Sequence, residues 1–99
     1  MRLNDALFYW LQTKLMTEIR PDDEAARGSL RFFAQILSED HGLASVEVDS
    51  SDAAKYRVSY RAKDGTAREV RFDREAAEQL AADLYGHASI EDGESEVNE

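Results

Sequence analysis

The stretch at residues 45–72, SVEVDSSDAAKYRVSYRAKDGTAREVRF, decides the fold because apolar and polar side chains alternate along it. Three segments place an apolar residue at every second position, which is the period of a β-strand with one buried face. The alternating apolar residues are Val46 and Val48, then Tyr56, Val58 and Tyr60, then Val70 and Phe72. Polar connections separate the segments, and Asp64-Gly65 is a hairpin signal. The stretch therefore predicts a three-stranded antiparallel meander.

Apolar residues at helical spacing lie on both sides of this stretch. They predict a first helix that begins at Asn4 as its N-cap and ends before Pro21. A second helix, from Pro21 to a glycine cap at Gly42, carries a wide apolar arc and is expected to be the central helix. A third, short helix is expected between Asp73 and Gly86. The order α-α-β-β-β-α predicts an α+β fold in which helices cover one face of the sheet.

Length and composition favour one small domain followed by a tail. The chain has 99 residues, of which 42% are hydrophobic, enough for one core without disulfides. We expect residues 1–86 to form a single globular α+β domain. Residues 87–99 are rich in acids and poor in large apolar side chains, so they are expected to be a disordered acidic tail. Cysteine is absent, and the N-terminus lacks the apolar run of a signal peptide, which predicts a cytoplasmic protein.

Positive charge is concentrated in residues 55–74, where seven basic and three acidic residues give +4. The whole chain has a net charge of −9, so the remainder carries −13. Strand alternation places Arg57, Arg61 and Arg71 on the polar face of the sheet, where guanidinium groups could bind phosphate or an acidic protein surface. The favoured alternative is a solvated face on which these arginines pair with Glu47 and Glu69 across strands.

The layout of residues 22–85, α-β-β-β-α, resembles that of double-stranded RNA-binding domains. Those domains carry a basic Lys-Lys pair at the start of the last helix and a Gly-Pro-X-His loop between the first two strands. The corresponding stretches here, residues 73–77 and 49–54, read DREAA and DSSDAA. Because both are acidic where RNA phosphates require cations, the family is not assigned.

The first helix carries apolar groups in a second direction. Tyr9 and Met16 lie opposite its main apolar stripe, and Trp10 flanks that stripe. Exposed aromatic and methionine side chains are enriched at interfaces, so Tyr9, Trp10 and Met16 are candidates for binding a partner or a second copy of the chain. The alternative is packing against the third helix within the chain.

No constellation of residues predicts catalysis, a cofactor site or a metal site. The acids Asp22, Asp23 and Glu24 are explained as helix-capping residues, and His41 by its place beside a helix C-terminus. The sequence thus predicts a non-catalytic cytoplasmic interaction or adaptor protein whose partner is an unknown protein, with homodimerisation as one form. The alternative is a nucleic-acid-associated module that uses the basic outer face of the β-hairpin. No membrane interaction is expected.

Overall fold

The computed structural model describes residues 1–86. The elements are α1 (Leu3–Ile19), α2 (Glu24–Glu39), β1 (Leu43–Asp49), β2 (Lys55–Ala62), β3 (Ala67–Asp73) and α3 (Arg74–Tyr85). Their order and the antiparallel sheet confirm the predicted α+β fold. The predicted acidic tail, residues 87–99, lies outside the described residues. None of the described helices is long and apolar enough to cross a membrane.

The sheet has the strand order β1-β2-β3, with both neighbouring pairs antiparallel. Val58 of β2 lies opposite Val48 on one side and Val70 on the other, so the predicted apolar residues share one face. The hairpin between β2 and β3 turns at Gly65, whose φ of 97° is left-handed, as the Asp-Gly signal predicted. On the apolar face Tyr56 and Val58 of the central strand are buried, whereas Val70 of the β3 edge strand is only half-buried.

The central helix is α1, not α2. It packs between α2 and α3 as well as over the sheet, and its Ala6, Leu7 and Leu11 are fully buried. The expectation that α2 is covered on two sides was wrong. Only Ala26 and Leu37 are buried on α2, because α2 flanks α1 on the β1 side and leaves much of its apolar arc in solvent.

At the N-termini of the helices, one predicted cap is confirmed and two predicted caps are wrong. Asp73 caps α3 by accepting a hydrogen bond from the backbone amide of Ala76 at 2.9 Å. The start of α2 was placed too early: Asp23, not Pro21, is the N-cap, and its carboxylate accepts from the Ala26 amide at 3.0 Å. The Asn4 cap was also wrong, because the amide of Ala6 already bonds to the carbonyl of Arg2 and the helix begins at Leu3.

The connection from α2 to β1 contains the predicted left-handed glycine, but α2 ends at Glu39 with Asp40 as its C-cap, earlier than predicted. Gly42 has a φ of 65°, the left-handed conformation expected after the end of a helix. Leu43, directly after it, is buried in the same cluster as Leu37 of α2. This turn brings β1 under α2 and fixes how the helical layer sits on the sheet.

Helices α2 and α3 converge over the C-terminal half of α1. Met16 of α1 packs against Ala26 of α2 and Ala81 of α3, both small side chains that allow the helices to approach closely. The hydroxyl of Tyr85 donates a 2.6 Å hydrogen bond to the carboxylate of Asp23 and joins the two outer helices. Met16, on the side of α1 away from its main apolar stripe, is therefore covered by both outer helices.

Candidate interaction surfaces

The outer face of the sheet carries the predicted arginines. Arg57 lies opposite Asp49 of β1 and opposite Arg71 of β3, so the three side chains form one row across the sheet. Arg61 lies two positions along β2 from Ser59, in the row that ends at Ser45 and Ala67. The structure thus brings Arg57 and Arg71 together and leaves Arg61 further along the same face.

Arg57 and Arg71 are bonded to acids of the same chain. Arg57 forms a hydrogen-bonded ion pair with Asp49 across the strands, and Arg71 Nη2 lies 3.1 Å from Glu69 Oε2 along β3. The backbone amide and hydroxyl of Ser51, together with Arg57, hold the pKa of Asp49 below its ordinary value. The outer arginines thus pair with acids of the same chain, as expected, although Arg57 pairs with Asp49 and not with the predicted Glu47.

Arg61 is also held by the chain. Its Nη1 donates a 3.2 Å hydrogen bond to the carbonyl of Gly65 in the hairpin turn. The groove beside it has a volume of about 430 Å³ and is lined by both carboxylates and guanidinium groups. Its lining residues are Ser45, Glu47, Ser59, Tyr60, Arg61, Ala67, Arg68 and Glu69. A surface of alternating charge attracts neither polyphosphate nor a polyacidic partner strongly.

The three candidates on α1 do not form one surface. Trp10 is 8% exposed and belongs to the main core cluster, and Met16 is 6% exposed between the outer helices. The expectation that they face a second body was therefore wrong. Contact between Met16 and α3 follows the alternative of packing within the chain, whereas Trp10 packs in the core over the sheet. Tyr9, at 41% exposure, is the one residue of the three that remains on the surface.

Tyr9 belongs to a series of aromatic rings on the helical face away from the sheet. Its ring stacks on Phe33 of α2 with centroids 5.4 Å apart and an interplanar angle of 30°. Phe33 in turn meets Phe32 edge to face at 5.2 Å, and Phe32 is 56% exposed. We call Tyr9, Phe32 and Phe33 the aromatic surface. Such stacked rings form a rigid apolar patch whose exposed ends lie in water.

Phe32 and Phe33 lie in the wide apolar arc of α2 that was expected to be buried, so they were not predicted as surface residues. Their adjacency in the sequence indicated that one of the two rings would lie outside the core. Neighbouring residues on a helix point about 100° apart, so two large rings in succession do not both face the same narrow core. Since α2 rests on α1 along one side, Phe33 contacts Tyr9 and Phe32 is left at the solvent edge.

A second concave region lies between the end of α1 and α3. Its volume is about 500 Å³, and its floor is formed by apolar side chains including Leu15, Ile19 and Ala81. At its margin the hydroxyl of Tyr56 donates to the carboxylate of Glu78, and Arg74 lies 3.3 Å from that carboxylate. These contacts join β2 to α3 and leave the polar groups of the margin bonded to one another.

Two tyrosines are held in the protonated form. Burial, and then the hydrogen bond to Glu78, raise the pKa of Tyr56 from 10.0 to about 12. Burial and the hydrogen bond to Asp23 raise the pKa of Tyr85 from 10.0 to about 12. A hydroxyl with such a pKa neither donates nor accepts protons readily at neutral pH, so these groups act as structural ties between elements.

Alkaline conditions are expected to loosen both ties. Because the pKa of each tyrosine is higher in the folded than in the unfolded chain, their stabilising effect is complete below pH about 10 and is lost as the pH rises through about 12. The midpoint of thermal unfolding should fall over this range. The midpoint of the double variant Tyr56→Phe with Tyr85→Phe should fall less steeply than that of the unaltered chain. Equal slopes for the two proteins would contradict the assignment.

Within residues 1–86, no group of three or more histidine and acidic side chains is placed to hold a metal ion. The surfaces described above carry charge pairs and exposed aromatic rings. The fold and these surfaces define a small α+β protein with an aromatic helical face and a charge-paired sheet face. Comparisons with protein-family models, curated proteins and solved structures find no match.

Proposed function

We propose that this chain is a non-catalytic interaction protein of the cytoplasm that binds a partner protein through the aromatic surface. The observation that carries the proposal is the exposure of Tyr9 and Phe32 on either side of Phe33, on the helical face. Aromatic side chains bury large areas at little cost in conformational entropy and dominate the centres of protein interfaces. Fixed by stacking, these rings lose little further freedom on binding.

The aromatic surface is a better candidate than the basic face of the hairpin. Arg57 and Arg71 are already bonded to Asp49 and Glu69, so an acidic partner would have to compete with acids of the same chain. The aromatic surface has no such competitor among the contacts of the described residues. Of the three candidates on the first helix, only Tyr9 belongs to the proposed binding surface, because Trp10 and Met16 are buried.

Site-specific photocrosslinking in the source cell tests the proposed surface. A photoreactive phenylalanine analogue at position 32 should give a discrete protein adduct, and Tyr9→Glu in the same chain should abolish that adduct. The matched control carries the analogue at Leu84, an apolar side chain that is 60% exposed on α3. If position 32 gives no adduct that position 84 lacks, or if the adduct persists with Tyr9→Glu, the aromatic surface is not the binding site.

Nucleic-acid binding is the alternative function, and we expect it to be weak. At ~150 mM salt, labelled duplex DNA, duplex RNA and single strands should bind no tighter than the ~10⁻⁴ to 10⁻⁶ M range of non-specific association. The net charge of −9 repels polyphosphate, and the outer arginines are paired. Submicromolar binding that disappears with Arg57→Glu and Arg71→Glu, in a variant that stays folded, would replace the proposed function with this alternative.

A further inference from the structure

Among residues 1–86, β3 is an edge strand that pairs with β2 on one side and with no strand on the other. Two hydrogen bonds fix which backbone groups point away from β2: the Ala62 amide bonds to the Thr66 carbonyl at 2.8 Å, and the Arg74 amide to the Ala54 carbonyl at 3.0 Å. In an antiparallel pair, hydrogen-bonded and non-bonded residue pairs alternate. With the observed register, Arg68, Val70 and Phe72 bond to β2. The amides and carbonyls of Ala67, Glu69 and Arg71 therefore point outward.

The three residues of β3 whose backbone groups point outward, Ala67, Glu69 and Arg71, are all exposed. The chain turns back toward β2 at Asp73, and the Arg74 side chain reaches the carbonyls of Ser50 and Asp52 in the connection between β1 and β2. On the apolar face, Val70 and Phe72 are only half-buried, whereas Tyr56 and Val58 of the neighbouring strand are buried. Within the part of the chain that the structure describes, this edge is exposed, and an exposed edge with incomplete apolar burial is a template for another strand.

We infer that β3 pairs antiparallel with β3 of a second copy about a two-fold axis at Val70, forming a continuous six-stranded sheet. In this register Glu69 lies opposite Arg71 of the second copy, and Arg71 opposite its Glu69. Because Glu69 also lies 3.1 Å from Arg71 of its own strand, the four side chains form one network of alternating charge, and the ion pair within each strand is kept. The outward backbone groups of these residues meet as hydrogen-bonded pairs. Opposite charges directly across a strand pair stabilise it, so the charge pattern favours this pairing.

The outward backbone pattern and the charges together exclude the neighbouring symmetric registers. A shift by one residue would place bonded against non-bonded positions. The next registers that satisfy the backbone place Glu69 opposite its own copy or Arg71 opposite its own copy, and like charges directly opposite are destabilising. Among these registers, only the one centred on Val70 matches both the backbone and the charges.

The apolar side of the sheet and the other edge strand are consistent with this choice. Centring on Val70 places two valines side by side, with Arg68 of each copy opposite Phe72 of the other, where the arginine stem can lie along the ring. The β1 edge differs, because both of its charged side chains, Glu47 and Asp49 on the outer face of the sheet, are carboxylates. Charge of one sign opposes self-pairing of that edge.

Charge reversal tests the pairing. Sedimentation should give a mass near twice 11.2 kDa for the unaltered chain at high micromolar concentration. Glu69→Arg should weaken dimerisation at least about tenfold, since two cross-strand pairs change from attraction to repulsion. The double exchange Glu69→Arg with Arg71→Glu, which keeps composition and net charge, should restore it. A monomeric unaltered chain, or a dimer indifferent to Glu69→Arg, would refute the pairing.

Disulfide trapping gives a second measurement that does not depend on affinity. The chain has no cysteine, so Val70→Cys introduces a single thiol. Across the two-fold axis the Cα atoms of a non-bonded pair lie about 4.5 Å apart, within disulfide reach. Under mild oxidation Val70→Cys should form covalent dimers. Arg71→Cys should not, because its copies lie on a diagonal at roughly 7–8 Å. Equal trapping at both positions, or none at position 70, would contradict the proposed register.

Discussion

Trp10→Glu is expected to leave the chain unfolded under conditions in which the unaltered chain is folded. Trp10 is buried in the main core cluster together with Leu7 and Leu11 of the same helix. Removing a buried tryptophan costs about 3–5 kcal/mol, and the carboxylate that replaces it has no partner in an apolar environment. Small domains are stable by only about 5–15 kcal/mol, so the combined loss removes most or all of the margin.

Tyr9→Glu, one residue earlier on the same helix, is the matched control. The Tyr9 side chain is exposed, and the new carboxylate would remain in water, so the far-ultraviolet circular dichroism should stay that of a folded protein. The two spectra together locate the boundary between the core and the surface of α1. A folded Trp10→Glu variant would show that Trp10 lies on a surface, as the sequence pattern had suggested.

The strands were predictable because their signals are local. Alternation at Val58 and its neighbours requires one buried face whatever the helices do, and Asp64-Gly65 selects a hairpin through backbone conformation alone. The Asp73 cap is likewise a contact between residues three positions apart. Each of these features depends on nearest neighbours along the chain, which the sequence displays directly.

The roles of the helices depend on tertiary packing, which the same pattern does not display. The wide apolar arc of α2 predicted a central helix, yet Phe32 lies in solvent and supplies the aromatic surface. On α1, Met16 on the far side suggested a second body, but α2 and α3 cover it. Apolar residues in more than one direction are typical of a buried helix, and that criterion would have favoured α1 as the central one.

The side of the sheet on which the arginines lie was predictable, but the ion pairs that they form were not. Strand alternation alone places Arg57 and Arg71 on the outer side of the sheet. Which acid pairs with Arg57 depends on the register between β1 and β2, and this register includes an irregularity between Leu43 and Ser45. A shift of two residues exchanges Asp49 for Glu47 as the neighbour. Register set by a loop or bulge is not readable from charge spacing.

Leu11→Ala is expected to be the most destabilising single truncation among those that test the position of α1. Leu11 is 0% exposed between the outer helices and the sheet, where a lost side chain leaves a cavity that rigid neighbours do not fill. The free energy of unfolding should fall by about 2–5 kcal/mol, measured by urea denaturation with an unchanged slope. Leu84→Ala, the same change at an exposed site of α3, should alter it by less than about 0.5 kcal/mol.

Phe32→Ala decides between α1 and α2 as the central helix. If α2 were covered on two sides, truncating a phenylalanine in the middle of its arc would cost about 3–5 kcal/mol, as in other cores. With α1 central, Phe32 keeps more than half of its surface in water, and its loss should cost much less than the loss of Leu11. Phe32→Ala as destabilising as Leu11→Ala would show α2 at the centre, and it would also remove the exposed ring on which the aromatic surface depends.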